Sequence, residues 1–213
     1  MMYLPDAFRE SQSDALYGLI DSYGFATLIS PDADDPLITH LPLLVDRGRG
    51  PNGTLVGHFA RANPHWRRLE QRPQVLAVFH GPHSYVSPSW YGEHPSVPTW
   101  NYAVVHAHGR AHLLQDADAV ESIVRRLVAK YEDPRPQPWP MNLPDEYRRR
   151  MLAGIVGVEI ELTQVTGKFK LSQNRTPDDR RRVVAALQSG PPHDRELASL
   201  MSRLVLPGLE SDR

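Results

Sequence analysis

Cysteine is missing from all 213 residues. Disulfide staples, thiolate nucleophiles and cysteine-ligated zinc or iron–sulfur centres are therefore excluded. Long apolar runs are missing too, and none approaches the ~20 residues of a membrane-spanning helix. Neither sign of charge is in excess. Lys and Arg number 24 against 25 Asp and Glu, a formal net charge of −1. No global basic field points to nucleic acid. The opening MMYLPDAFRESQ has no basic segment followed by an apolar one, so it does not read as a signal peptide. A cytoplasmic location is expected. No glycine-rich fingerprint follows a strand-like run, which argues against a Rossmann sheet. There is no P-loop and no G-x-S-x-G elbow, and serine has no persuasive base partner, so hydrolase chemistry is not supported.

What is present is ordinary apolar content, 40%, with 23% charged residues and 20 prolines. That suits a soluble domain with a real core. The most distinctive stretch is Ser84–Arg110, SYVSPSWYGEHPSVPTWNYAVVHAHGR. Pro82, Pro88, Pro95 and Pro98 stiffen it, since proline fixes φ and removes a donor. A strand follows from Trp100. Period-two alternation places Trp100, Tyr102, Val104, His106 and His108 on one face and Asn101, Ala103, Val105, Ala107 and Gly109 on the other. A stiff aromatic loop beside such a strand can wall a flat ligand, or can simply pin the loop to the core.

The remaining pattern mixes strands and helices. Residues 6–23 read as a helix capped by Asp6 and ended by Gly24. Strands are expected at 25–30, 37–46, 54–60 and 74–80, with an acidic turn at 31–36. Pro42 implies an edge or a bulge in the second, and Asn52-Gly53 signals a hairpin. Gly81-Pro82 is expected to turn the chain. Helices are expected near 64–71, 116–132, 145–152, 177–188 and 194–206, and strands at 100–114 and 155–165 with an extension at 168–171. Six or seven mostly antiparallel strands with inserted helices favour a closed or partly closed barrel. The fold class is mainly β with α, with residues 1–175 as the barrel domain and 176–213 as a C-terminal helical appendage.

Four motifs bear on chemistry. In Gly57–Pro64 (GHFARANP) a strand delivers polar groups to a helix start, where Asn63 can cap and Arg61 can add a bidentate contact to a phosphate. An ordinary cap with a surface arginine is the commoner reading of such a motif. Thr39-His40 places polar groups in an apolar strand. His106, His108 and His112 alternate on one face, but with Arg110 among them and no carboxylate, so a solvated or subunit-facing strand is favoured over a metal site. Lys168–Arg175 (KFKLSQNR) opens a basic segment. Residues 165–190 carry six Lys and Arg against two Asp, a local excess of +4 (6 − 2). The last two helices give only a weak helix-turn-helix signal: their connector Ser189–His193 is long and carries two prolines.

Taken together, THLPLLVD (39–46), GHFARANPHW (57–66), GPHSYVSPSWY (81–91), VPTWNYAVVHAHG (97–109) and KFKLSQNR (168–175) resemble the PaiB-type family of FMN-binding negative transcriptional regulators. The resemblance covers roughly residues 2–188. It implies a split β-barrel related to pyridoxamine-phosphate oxidases and flavin reductases, a homodimer, and FMN near the subunit interface. By that resemblance Thr39, His40, His58, Arg61 and Asn63 would serve the FMN phosphate, and Ser87, Trp90, Trp100, Asn101 and Tyr102 the flavin ring. The role implied is redox or ligand sensing through the flavin. An NAD(P)H-dependent flavin reductase or oxidase using the same site is the alternative, and a haem-binding barrel with His106, His108 or His112 as axial ligand is a third. DNA binding finds no motif or net charge to support it, and no membrane partner is expected.

Overall fold

The computed structural model describes residues 2–31 and 35–206, so 32–34 of the expected acidic turn and 207–213 of the C-terminal segment lie outside the described residues. Eight strands form one sheet in the order β3-β2-β6-β7-β8-β5-β4, with β1 paired to β8. Its outermost strands, β3 (Leu37–Pro42) and β4 (Leu44–Asp46), are consecutive in the chain. The sequence pattern predicts a single strand over 37–46. The structure breaks it at Leu43, whose N–H donates to Gly24 O at 2.8 Å. Proline at 42 has no N–H to give a ladder, so one apolar run serves both ends of the sheet, β3 pairing with β2 and β4 with β5.

Residues 17–79 and 106–165 form one compact unit; residues 1–16, 80–105 and 166–213 form the other. In the first, β2 (Phe25–Ser30) pairs antiparallel with β3, setting Leu28 opposite Thr39, and with the start of β6 (Gln74–Val86), setting Leu28 opposite Ala77. The β4–β5 hairpin closes through Gly50 and Gly53, both at positive φ (75° and 83°), where a side chain would be strained. β5 (Thr54–Ala60) then pairs with β8 (Ile155–Lys170), Leu55 opposite Ile160. Helix α3 (Ala117–Glu132) is capped by Asp116, which accepts from Ala119 N at 3.0 Å. It buries Ile123 and Leu127 against Val56, which is the apolar stripe its periodicity announces.

The second unit holds the later part of β6, the first part of β7 (Thr99–Leu114), the end of β8, and the helices α5 (Pro177–Gln188) and α6 (Pro192–Val205). Thr176 caps α5 by accepting from Asp179 N at 3.2 Å. Leu197, Ala198, Met201 and Val205 of α6 are buried.

Three further expectations are corrected. The N-terminal helix spans only Ser13–Ser22 (α1), preceded by a 3-10 turn Asp6–Phe8 and β1 (Arg9–Glu10). The apolar period begins at Leu16, so nothing draws residues 6–12 into a helix, and Asp6 caps nothing. Gly81-Pro82 does not turn the chain: β6 runs straight through it. The ladder with β2 covers only Leu76–Val78, so the missing proline N–H falls beyond it. The strand expected at 155–165 and its extension at 168–171 run together, and β8 is one strand of 16 residues.

Candidate functional site

The polar group of the first unit grows from β3 and the segment after β5. Asn63 Oδ1 accepts from His65 N at 2.9 Å, and Asn63 Nδ2 donates to Thr39 Oγ1 at 3.1 Å. Thr39 Oγ1 also meets His65 Nδ1 at 2.8 Å, and His65 Nε2 meets Ser30 Oγ at 2.7 Å. The result is a hydrogen-bonded string, Asn63–Thr39–His65–Ser30. His65 is 2% exposed, and burial pushes its imidazole below the usual histidine range, so it sits there neutral. His65 and Ser30 carry no weight in the sequence reading, although His65 lies inside the motif GHFARANPHW.

His40 does not join the string. Neighbours on a strand face opposite ways, and His40 is exposed, its Nδ1 3.1 Å from Thr27 Oγ1 and its ring stacked on Phe25. His58 is half-buried with its Nδ1 unpartnered, and desolvation lowers its pKa. Arg61 is committed to main chain. Its Nε donates to Ala153 O at 2.7 Å, its Nη2 to Ile155 O at 3.0 Å and its Nη1 to Gln115 Oε1 at 3.3 Å. All three guanidinium nitrogens are thus engaged, tying the end of β5 to the end of α4 (Asp145–Ala153) and the start of β8.

The second unit carries the aromatic group. Alternation in β7 holds as the pattern predicts: Asn101, Ala103, Val105 and Ala107 are buried, and Trp100 is 54% exposed. Alternation in β6 likewise puts His83 and Tyr85 on its open face. Both rings lie beside Trp100, with centroids at 6.3 Å. This gives a shallow platform of His83, Tyr85 and Trp100, of which only the indole was singled out from sequence. Tyr102 shares the Trp100 face and is half-buried.

Asn101 turns the other way. Its Nδ2 donates to Ser172 Oγ at 2.9 Å and reaches Met201 Sδ at 3.6 Å, and its Oδ1 is buried without a partner. Ser87 caps the short 3-10 turn Pro88–Trp90, and Trp90 is half-buried there. The loop is anchored to α5 through Gly92 N, which donates to buried Asp179 at 2.7 Å, and by Arg175 lying over the buried Tyr91 ring at 4.2 Å.

Lys168, Lys170 and Arg175 complete this group. Lys168 Nζ donates to Tyr3 O at 3.0 Å and lies 4.9 Å and 5.6 Å from the Tyr3 and Tyr102 ring centroids. Lys170 Nζ donates to Thr99 Oγ1 and Trp100 O at 2.5 and 2.6 Å. Burial first, then repulsion from Lys168 and Arg175, lowers the Lys170 pKa. The aromatic platform and the cations beside it are a set that suits a flat, anionic nucleotide such as FMN.

Solved structures show the same fold at low identity. The flavocytochrome Anf3 from Azotobacter vinelandii superposes with a TM-score of 0.58 at 13% identity, covering 79% of this chain and 70% of the other. The FAD and heme binding protein from Mycobacterium smegmatis gives 0.55 at 14%, covering 86% and 80%. The fold is a split β-barrel, and the class of protein is a flavin-binding split barrel. The chain belongs to the family described as "Putative FMN-binding domain", whose model matches residues 2–164, and its cofactor is FMN. The Bacillus subtilis protein named "Protease synthase and sporulation protein PAI 2" is 36% identical over 203 residues, covering 94% of this chain and 96% of that protein. The PaiB-type resemblance read from the five motifs holds. Among the described residues no helix is long and apolar enough to cross a membrane.

Proposed function

We propose that this protein is a cytoplasmic, homodimeric regulator of the PaiB type, in which the occupancy or redox state of bound FMN is the signal. The observation that carries this is the open indole of Trp100, flanked by His83 and Tyr85. An exposed ring held in place by its neighbours loses little freedom when a flavin covers it. Bound FMN supplies the electron-accepting chemistry, and the chain supplies orientation and charge.

Within the second unit we assign the ring to Trp100 and Tyr102, with Ser87 and Trp90 shaping the loop and Asn101 bracing β7 against α6. Within the first unit, Thr39 and Asn63 lie in the polar string and His58 and His40 outside it, and Arg61 is a strap rather than a phosphate ligand. Residues 1–175 then constitute the FMN-binding part, and the helical segment from 176 onward buttresses the aromatic loop through Asp179. The Bacillus subtilis relative is named for protease synthesis and sporulation, processes that a regulatory output would serve. DNA contact, if it carries that output, must come from the local basic excess near 165–190, and would then weaken steeply with salt.

The test is a visible absorption spectrum of purified protein, repeated after incubation with FMN and removal of free ligand. About one retained flavin per chain supports the reading. Folded protein retaining none returns the aromatic loop to a structural role. A flavin oxidoreductase is the second reading, favoured by cations beside the platform that would stabilise a reduced, anionic flavin. Steady turnover of NADH or NADPH by the FMN-loaded protein would select it.

A further inference from the structure

Three cations of one motif stand close together in the second unit with no counter-charge among the described residues. Lys168 and Lys170 are two apart on β8 and so share a face. The turn after β8, in which Arg175 N donates to Ser172 O at 2.9 Å, brings Arg175 back towards them. Their contacts are uniformly neutral. Lys168 and Lys170 donate to two carbonyls and a hydroxyl, and Tyr3, Tyr102, Phe8 and Tyr91 offer ring faces. Among the described residues no carboxylate pairs with any of the three, whereas Arg49, Arg125, Arg148 and Arg181 each have one.

Grouping like charges is unfavourable, and burying them more so. Lys168 is nonetheless only 9% exposed, and Lys170 titrates below the usual lysine range for both reasons. Carbonyl and ring contacts hold the two ammonium groups in place without neutralising them. Such an arrangement is set up to receive negative charge from outside the chain. The aromatic platform borders it directly, because Lys170 Nζ bonds the carbonyl of Trp100 itself.

We propose that Lys168, Lys170 and Arg175 form an anion-binding site, which takes the phosphate or carboxylate of a small molecule whose flat ring lies on the Trp100 platform. Two sources present that chemistry: the phosphate of FMN, or the acidic group of a second small ligand bound beside the flavin. The anion site stands whether or not the regulatory reading does.

The experiment measures affinities for FMN, riboflavin, inorganic phosphate and benzoate in wild type, Lys170→Ala, Arg175→Ala and Lys170→Arg. Far- and near-ultraviolet circular dichroism shows that each variant is folded. If the anion is that of FMN, Lys170→Ala and Arg175→Ala weaken FMN at least tenfold and riboflavin less than threefold. Lys170→Arg, which keeps the charge, recovers most of the loss. If the anion belongs to a second ligand, FMN affinity is unchanged. FMN-loaded wild type then binds phosphate or benzoate, read as a shift of the flavin spectrum, and the alanine variants lose that binding at least tenfold. The proposal is overturned if no probe anion binds wild type and both alanine variants keep FMN, riboflavin and their ratio within twofold. It is also overturned if flavin is retained and FMN and riboflavin fall together in every variant, because a structural role would do that. Wild type that retains no flavin yet binds phosphate through these residues would sink the FMN reading alone.

Discussion

Arg61→Ala separates two roles that the sequence leaves open. In the phosphate role, its guanidinium would face a ligand. In the structure it donates to Ala153 O and Ile155 O at 2.7 and 3.0 Å and to Gln115 Oε1 at 3.3 Å. Each net hydrogen bond contributes about 0.5–1.5 kcal/mol, and a charged donor stands at the upper end. The third bond is long, and water can reach a half-exposed site after truncation, so we take about 2 kcal/mol in total. For a chain of this size that corresponds to a fall in Tm of roughly 4–8 °C.

The expected outcome is that destabilisation in both thermal and urea unfolding of the apo-protein, with the ratio of FMN to riboflavin affinity unchanged. Arg61→Lys is the sharper control. A single ammonium cannot reach three acceptors that the planar fork serves, so lysine should restore less than half of the lost stability. Under the phosphate role, lysine would restore most of the FMN affinity instead. Unchanged stability in Arg61→Ala, together with a tenfold or greater loss of FMN relative to riboflavin, would refute the strap.

Other perturbations read other parts of the molecule. Trp100→Ala should weaken FMN and riboflavin by the same factor, about tenfold if stacking contributes 1–1.5 kcal/mol; fluorescence titration with both flavins checks this. His65 and His58 both titrate below the usual range because they are buried. The unfolded chain therefore binds more protons, and stability falls as pH drops from the unfolded histidine value through the lowered folded ones. His65→Gln should flatten that slope in urea unfolding between pH 7 and 5, and an unchanged slope would remove His65 from it. Gly109→Ala should destabilise by about 1–3 kcal/mol, since an added Cβ would lie 2.5 Å from Glu161 O and 2.6 Å from Ile160 Cγ2; calorimetry reads the shift. Arg49 and Glu159 form a bidentate pair at 2.7 and 2.6 Å, but the Arg49 side chain is 46% exposed. Arg49→Ala should cost no more than about 1 kcal/mol, falling further in high salt.

The elements legible from sequence were those whose burial follows a period. β7 alternates as read, from Asn101 to Ala107, and α3 buries Val120, Ile123 and Leu127 while Tyr131 at its end stays exposed, because side-chain direction on a regular backbone is fixed by count alone. What periodicity could not supply was the partner of each edge. The break at Leu43 depends on Gly24 O lying within reach of its N–H, a contact 19 residues away in sequence (43 − 24). Pro82 marks a turn only if its missing donor is needed, and the ladder with β2 ends before it. Site residues divided the same way. Thr39 and His40 are adjacent letters on opposite faces, so Thr39 joins His65 and Asn63 while His40 stacks on Phe25. Asn101 and Trp100 diverge for the same reason.

Charge was the part of the site that sequence could locate but not interpret. A run of Lys and Arg usually means a solvated face, and Arg181, which pairs with Asp178 at 2.6 Å, is of that kind. Lys168 and Lys170 differ because their strand draws them under Tyr3, Tyr102 and Phe8, where their acceptors among the described residues are neutral. Arg61 shows the converse. A lone arginine beside a helix start looks like a phosphate ligand, yet carbonyls of α4 and β8, more than 90 residues away in sequence, take its donors. Arg61 too touches neutral acceptors, but Lys170 bonds the carbonyl of Trp100 and so holds its charge beside the aromatic platform. An anion lying against the Trp100 platform should therefore be held by Lys170 and its neighbours, as the proposed anion site requires.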